Sequence, residues 1–111
     1  MLGDERGRWL LDAHADSVTE LALSGRVRGE LLHVVIDRSF VAADGRRWVV
    51  DYKLSPHQGG SLDEFLDREQ QRYAAQLQRY AELARRLGPE PVSVGLYFPL
   101  QRAWRAWTPE T

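Results

Sequence analysis

A lysine that follows an aspartate by two positions is the feature of this sequence that points most directly to chemistry. Lys53 is the only lysine among 15 cationic side chains, and it follows Asp51 at the end of the apolar run Trp48-Val49-Val50. An ammonium is a compact point charge and a guanidinium is a wide planar fork, so this lysine suggests a role that arginine cannot fill. Beside a carboxylate, it can hold a phosphate oxygen or orient a metal-bound water. The pair therefore predicts phosphodiester hydrolysis.

A second carboxylate is expected opposite Asp51 in a β-hairpin. Residues 30–41 read as a strand rich in β-branched residues, and Ala43-Asp44-Gly45 reads as a three-residue loop with its glycine in the left-handed position. This loop length places Asp37 across from Asp51, and the strand period of two places Lys53 on the same face. A two-residue loop would shift the register by one residue and separate the two carboxylates.

Two carboxylates that face each other across a strand pair need a compensating cation. Like charges in this position destabilise the pair. Mg²⁺ fits because it prefers oxygen ligands and uses one or two carboxylates together with waters and substrate phosphates. Mn²⁺ also takes carboxylate oxygens and is the alternative. A reading of Asp37 and Asp51 as ordinary surface residues of a hairpin stays open at this point.

A long helix is predicted after the hairpin. Ser61-Leu62-Asp63-Glu64 has the form of a capping box, and the helix should run to Leu87 and stop at Gly88-Pro89. Helical spacing predicts a buried stripe made of Leu66, Tyr73, Leu77, Tyr80, Ala84 and Leu87. Gln76 is the polar residue on the edge of this stripe, so its amide should form a hydrogen bond. For the two tyrosines, both core packing and substrate contact fit the pattern.

The remaining segments complete a mixed fold of the α/β (α+β) class. Residues 18–23, 92–98 and 102–107 read as strands. The segment through Asp16 is ambiguous, with Trp9-Leu10-Leu11 expected to pack on the domain edge. The order β-β-β-α-β-β predicts a mixed central sheet that carries the candidate site on its hairpin and is flanked by one long helix.

Three short segments, taken in this order, resemble the motifs of the PD-(D/E)XK nucleases. More narrowly, they resemble the RecB-type nuclease domain at the C-terminus of UvrD-like helicase–nucleases, which process broken DNA ends. The similarity runs from about Glu20 to Phe98, and each motif is weak alone but specific in combination. The segments are Ile36-Asp37-Arg38, Val49-Val50-Asp51-Tyr52-Lys53 and Tyr73-Ala-Ala-Gln76-Leu77-Gln-Arg-Tyr80.

The resemblance implies a restriction-endonuclease-like fold and a role for each matching residue. Asp37 and Asp51 would bind Mg²⁺ or Mn²⁺, with the carbonyl of Tyr52 as a third ligand. Lys53 would be the catalytic lysine. Glu20 lies where many relatives carry an acidic residue, which makes it a further candidate ligand.

The resemblance also implies a helix motif, a substrate and partners. Gln76 and Tyr80 match the family's Gln-x-x-x-Tyr motif, which lies beside the metal site and shapes it. The substrate would be DNA, in single-stranded form, during end processing and recombinational repair, and a UvrD-like helicase region in the same or a partner chain would deliver it. Residues 1–111 would then be one nuclease domain, a fragment or the C-terminal domain of a larger helicase–nuclease.

Composition narrows the remaining classes. The chain has no cysteine, which excludes disulfides and thiolate metal sites, and its formal net charge is −1, which gives no general attraction to nucleic acid. No stretch has the length or composition of a membrane span or a secretory leader, so the expectation is a cytoplasmic protein without a membrane partner. Local positive charge comes from helix arginines that also fit a solvated face: Arg68, Arg72, Arg79, Arg85 and Arg86.

Two other functions fit the same sequence. The first is a nucleic-acid-binding or scaffold module that keeps the nuclease fold but has an inactive site. The second is a protein-interaction domain that uses exposed tryptophans, although Trp104 and Trp107 fit strand-end packing as well as base stacking. His33 shares the strand parity of Asp37 and could reach the site or be structural, and His57 reads as a loop residue.

Overall fold

A computed structural model describes residues 5–57 and 59–110 as an α+β domain with a five-stranded mixed sheet and one long helix. The strands lie side by side in chain order. Neighbouring strands are antiparallel except the third and fourth, which are parallel and are joined by the long helix. The elements are α1 (Glu5–Leu11), β1 (Ala15–Val27), β2 (Glu30–Val41), β3 (Arg47–Tyr52), α2 (Leu62–Ala84), a 3₁₀ turn (Arg85–Leu87), β4 (Val92–Phe98) and β5 (Ala103–Trp107).

The hairpin register predicted from the sequence is confirmed. Phe40 pairs with Trp48 and Arg38 pairs with Val50, as the three-residue loop requires. The loop closes through hydrogen bonds from Ala42 N to Arg46 O at 2.8 Å and from Gly45 N to Ala42 O at 2.9 Å. Gly45 has a φ of 85°, the left-handed conformation that glycine adopts without strain.

Helix α2 begins where the capping box predicts. Ser61 Oγ accepts a hydrogen bond from the backbone N–H of Glu64 at 3.1 Å, which satisfies one of the free donors of the first turn. The α-helix ends at Ala84, and the predicted extension to Leu87 is a 3₁₀ turn. Leu87 was predicted to be buried, but 43% of it is exposed, because the tighter turn carries it off the helical stripe.

Two hydrophobic cores lie on opposite faces of the sheet. The core beneath α2 includes Ile36, Val49, Leu77 and Leu96. The core beneath α1 includes Leu10, Phe40, Val50 and Tyr97, with Trp9, Trp48 and Trp104 packed against it. Strand β4 is buried along its whole length because it supplies both cores. The site-bearing strands β2 and β3 are therefore held between two packed layers.

The regular alternation of side chains along β2 breaks next to the candidate site. Ile36 and Phe40 are four residues apart and would share a face of a regular strand, yet they pack in different cores. Across from this segment, Thr19 pairs with Arg38 and Leu21 pairs with Ile36. Glu20, between those partners, has a φ of 51°. The local irregularity directs residues on either side of Asp37 to opposite layers.

The sequence predicted some elements too short or left them undecided. Strand β1 was expected over residues 18–23, but it extends over Ala15–Val27 because β2 offers a partner along its whole length. The undecided first segment contains α1, whose Leu10 is buried and whose Leu11 is 69% exposed. The prediction for β4 is confirmed, and β5 begins one residue later than expected, at Ala103.

Candidate functional site

The candidate site lies where β3 ends beneath the middle of α2. Asp51 is the fifth residue of β3 and is buried, with a residue exposure of 5%. Lys53 is the first residue after the strand, and its backbone N–H donates to the carbonyl of Tyr97 at 2.9 Å. This bond extends the pairing of β3 with β4 by one residue. It fixes the direction in which the lysine side chain leaves the sheet.

The lysine and the aspartate form an ion pair. Lys53 Nζ lies 2.8 Å from Asp51 Oδ2, and the side chains are 16% and 8% exposed. The two opposite charges compensate each other in this largely buried position.

Asp37 completes the acidic pair. Its Oδ2 accepts a hydrogen bond from the backbone N–H of Tyr52 at 2.9 Å, which anchors the carboxylate beside the end of β3. Burial, followed by the hydrogen bond and charge of the Asp37 carboxyl group, raises the pKa of Asp51 from an ordinary value of 3.8 to about 6. Lys53 acts in the opposite direction. The predicted meeting of the two carboxylates is therefore present.

Helix α2 covers this cluster with a polar stripe. The ammonium of Lys53 lies 3.7 Å from the ring centroid of Tyr73, within the range of a cation–π contact. Gln76 Nε2 donates to the hydroxyl of Tyr80 at 2.6 Å. Gln76 thus forms the hydrogen bond predicted for it, with its motif partner Tyr80 as the acceptor. The tyrosine hydroxyl keeps its own proton available for a further donation.

The pKa of Tyr80 depends on its burial and on the charges beneath it. Burial is the largest effect raising the pKa of its hydroxyl, and the negative charge of Asp51 raises it next. The phenol is therefore a neutral donor at physiological pH. It lies in the field of Asp51, Lys53 and Asp37, so the helix motif and the strand motif form one cluster.

The remaining predicted ligands differ in their placement. The ring of Tyr52 packs in the α1 core, while its peptide N–H contacts Asp37. Glu20 is exposed on β1, across the ladder from the segment that contains Asp37. Within residues 5–57 and 59–110, no group of three or more His, Cys, Asp or Glu side chains is placed to hold a metal ion. The carboxylates that meet are Asp37 and Asp51.

The oxygens at this position fit a hard divalent cation. Mg²⁺ commonly takes one or two protein carboxylates and completes its octahedron with waters and substrate oxygens. The buried Asp51 carboxylate, together with the neighbouring Asp37 carboxylate, is a donor set of this kind. A bound cation would favour the charged form of Asp51 against its burial, the main cause of its raised pKa, and against the nearby carboxylate of Asp37.

The three histidines form contacts with other residues of the fold. His14 lies 2.6 Å from the carbonyl of Trp9 and stacks on Phe40 with ring centroids 4.1 Å apart. The exposed His33 bonds to Ser24 Oγ at 2.6 Å through Nδ1. His57 lies 3.2 Å from the carbonyl of Gly60.

The tryptophans are partly buried, so the interaction domain based on exposed tryptophans lacks its surface. Trp9, Trp48 and Trp104 pack on one another beneath α1, and Trp107 packs against the α2 core. The aromatic rings therefore contribute to the two cores of the domain.

Sequence reasoning missed one polar residue beside the site. Glu69 is buried in α2, and its Oε1 has no hydrogen-bond partner among the described residues. It precedes Tyr73 by one helical turn and therefore lies on the same side of α2. Its spacing of four from Tyr73 and seven from Gln76 is the signal that could have identified it. In the sequence, it reads as a solvated charge among Arg68 and Arg72.

No protein-family model matches this sequence, and no curated protein matches it. No helix among the described residues is long and apolar enough to cross a membrane.

Proposed function

We propose that this chain is a divalent-metal-dependent deoxyribonuclease domain of the PD-(D/E)XK class, with a restriction-endonuclease-like fold of the RecB type. The observation that carries the proposal is the cluster of Asp51, Asp37 and Lys53. In it, a buried carboxylate with a raised pKa contacts the lysine ammonium at 2.8 Å and lies beside a second carboxylate. Single-stranded DNA is the proposed substrate, supplied by a helicase region in the same or a partner chain, and the proposed location is the cytoplasm.

The residues divide the work of phosphodiester hydrolysis. Asp37 and Asp51 would hold a Mg²⁺ or Mn²⁺ ion, with the carbonyl of Tyr52 as a further oxygen donor. When bound, the ion supplies Lewis-acid polarisation of a phosphoryl oxygen and raises the acidity of a water. Lys53 holds its ammonium at the edge of this pair, where it stabilises negative charge that develops on the phosphate.

Helix α2 positions the lysine and supplies the hydroxyl of Tyr80 as a neutral hydrogen-bond donor. Gln76 holds the hydroxyl oxygen of Tyr80, so the phenolic proton can point towards Asp51 or a substrate oxygen. The ammonium of Lys53 contacts both the ring of Tyr73 and the carboxylate of Asp51, and these two contacts limit the directions in which the lysine can move. Catalysis of this kind depends on groups that are already oriented before the charge develops.

The direct test is incubation of the purified protein with end-labelled single-stranded DNA, with Mg²⁺, with Mn²⁺ and with chelator. We expect metal-dependent cleavage by the parent and by the charge-matched control Asp63→Asn, whose side chain is exposed in the first turn of α2. Asp51→Ala should abolish cleavage while the circular dichroism spectrum is retained. Absence of metal-dependent cleavage by the parent contradicts the proposal.

Lys53→Arg separates a nuclease from an inactive module of the same fold. The substitution preserves charge but replaces a compact donor with a wide fork, and it leaves both carboxylates in place. Metal affinity should stay within a few-fold, while cleavage should fall by roughly 10²-fold, the scale of losing one positioned electrostatic group. Equal cleavage by Lys53→Arg and parent would remove the role assigned to Lys53.

A further inference from the structure

The sequence predicted positive charge along the long helix from five arginines. Two of the five bind main-chain carbonyl groups of the protein itself. Arg85 Nη2 donates to the carbonyl of Glu110 at 2.7 Å. Arg86 Nη2 donates to the carbonyl of Arg26 on β1. Both side chains bind the protein's own main chain, so they are committed to anchoring the C-terminal segment and the sheet edge.

The other three arginines form an exposed stripe along α2. Arg68, Arg72 and Arg79 are exposed, and their spacings of four and seven residues place them on one side of the helix. Ala75, also exposed, fills the intervening position with a small side chain. Within residues 5–57 and 59–110, Arg68 and Arg79 form neither a hydrogen bond nor an ion pair. Arg72 lies 3.8 Å from the largely buried carboxylate of Glu69.

Arginines from elsewhere hold two acidic residues of α2, whereas Glu69 offsets part of the charge of Arg72, so the unpaired cations of the stripe among the described residues are Arg68 and Arg79. Asp67 Oδ1 accepts from Arg105 on β5 at 2.6 Å. Glu82 Oε1 accepts from Arg28 in the turn after β1 at 3.1 Å. The net charge of −1 for the whole chain therefore conceals a locally positive surface on one side of α2.

The stripe borders the candidate site at two points. The guanidinium of Arg72 lies 5.2 Å from the ring centroid of Tyr73, the same ring that contacts Lys53. Arg79 lines a groove of about 480 Å³ between β2 and α2, and Gln76 and Tyr80 of the site motif line the same groove. A chain that follows the stripe can therefore pass into the groove without leaving the protein surface.

We propose that Arg68, Arg72 and Arg79, the α2 arginine stripe, bind the phosphate backbone of a single-stranded nucleic acid and direct it along the groove to the site. The stripe extends about 16 Å at about 1.5 Å per residue, long enough to contact more than one phosphate of an extended strand. This inference rests on the proposed function for its substrate class. The binding surface itself is defined by the exposed arginines and the groove.

A single strand fits this surface better than a duplex. The ammonium of Lys53 and the carboxylate of Asp51 are 16% and 8% exposed, so the reacting phosphate must enter between helix and sheet. A flexible strand can turn one phosphate into that space, whereas paired strands keep their phosphates on the outside of a rigid cylinder.

The test measures binding of a fluorescein-labelled 15-nucleotide oligothymidylate by anisotropy in chelator, so that cleavage plays no part. Arg79→Gln and Arg68→Gln should each weaken binding several-fold and reduce the slope of log affinity against log salt by about 0.7. The control is Arg8→Gln, which removes the same charge from an exposed position on α1, across the sheet. It should bind like the parent.

The outcomes separate this inference from the proposed nuclease activity. Equal binding by Arg79→Gln, Arg68→Gln and the parent overturns the stripe, even if the parent cleaves DNA. Equal losses for the stripe variants and Arg8→Gln also overturn it, because net charge alone would then explain binding. A duplex or polyglutamate that binds as tightly as the oligonucleotide overturns the single-strand assignment. Site-specific losses without any metal-dependent cleavage support the stripe and contradict the nuclease.

Discussion

The two faces of the sheet differ in the contacts that their buried charged groups form. Beneath α1, the buried guanidinium of Arg38 donates to the carbonyls of Leu10 and Asp12 at the end of that helix and lies over the ring of Phe40. Beneath α2, the buried carboxylate of Asp51 lies beside that of Asp37, and Oε1 of the buried Glu69 has no hydrogen-bond partner among the described residues. The α1 face uses its charge to secure the fold. The α2 face brings carboxylates together in a buried position, which costs stability and leaves them suited to bind a cation.

The short helix α1 is tied closely to the strands that carry the candidate site. Arg38 follows Asp37 directly in β2, so the residue that fixes the end of α1 also fixes the strand at the candidate site. Trp9 packs edge-on against Phe40 and Trp48, with centroid distances of 5.2 and 5.3 Å. The α1 face therefore holds the strands that carry the candidate site.

The largest expected effect concerns the apolar part of the α2 face. Leu77 is fully buried beneath α2, so Leu77→Ala should lower the free energy of unfolding by about 2–5 kcal/mol. Its neighbour Gln76 is half-buried and bonds to Tyr80, so Gln76→Ala should reduce cleavage more than stability. Urea unfolding and the DNA assay measure the two quantities. If Gln76→Ala lost more stability and Leu77→Ala lost more cleavage, the apolar and functional sides of α2 would have been assigned wrongly.

The next effect concerns the charge of Asp51. Since folding raises its pKa from 3.8 to about 6, the stability linked to its proton is complete below pH ~4 and is lost as the pH rises through 6. In chelator, Asp51→Asn should therefore be more stable than the parent by about 1–2 kcal/mol at pH 8, and the gap should shrink towards pH 4. This gain in stability is smaller than the full pKa shift would give, because Asp51→Asn also loses the ion pair with Lys53. A less stable Asp51→Asn at pH 8 would make Asp51 a structural residue.

The smallest effect concerns the contact between Tyr73 and Lys53. Reductive ¹³C-methylation labels Lys53 and the N-terminal amine, so the lysine gives an assignable NMR signal. Tyr73→Leu should remove the ring-current shift of this signal and lower cleavage by roughly 2–5-fold, as expected for a contact of about 0.5–1 kcal/mol. Tyr73→Phe should preserve both. An unchanged lysine signal in Tyr73→Leu would show that the ring does not hold the ammonium.

The sequence was most informative where local chemistry decides the structure. Gly45 fixed the hairpin register, and Ser61 fixed the start of α2, because each depends on bonds within a few residues. The pairing of Asp51 with Lys53 followed from the strand period and the register. These features needed no knowledge of the rest of the chain.

Features that depend on distant contacts were harder to predict. Strand β1 is longer than its residues indicate because β2 pairs with it throughout. The burial of Leu10 depends on the core formed with Phe40, Val50 and Tyr97. The break in alternation between Ile36 and Phe40 has no signal in the sequence, although it separates the side chains of the two cores beside Asp37.

Calorimetric titration with Mg²⁺ and Mn²⁺ at pH 7.5 tests the central claim most directly. The account predicts that the parent binds a divalent ion, that Lys53→Arg binds it within a few-fold, and that a folded Asp51→Asn does not bind it. Binding by Asp51→Asn with the affinity of the parent would contradict the assignment of the paired carboxylates as the metal site, and so would the absence of binding by the parent.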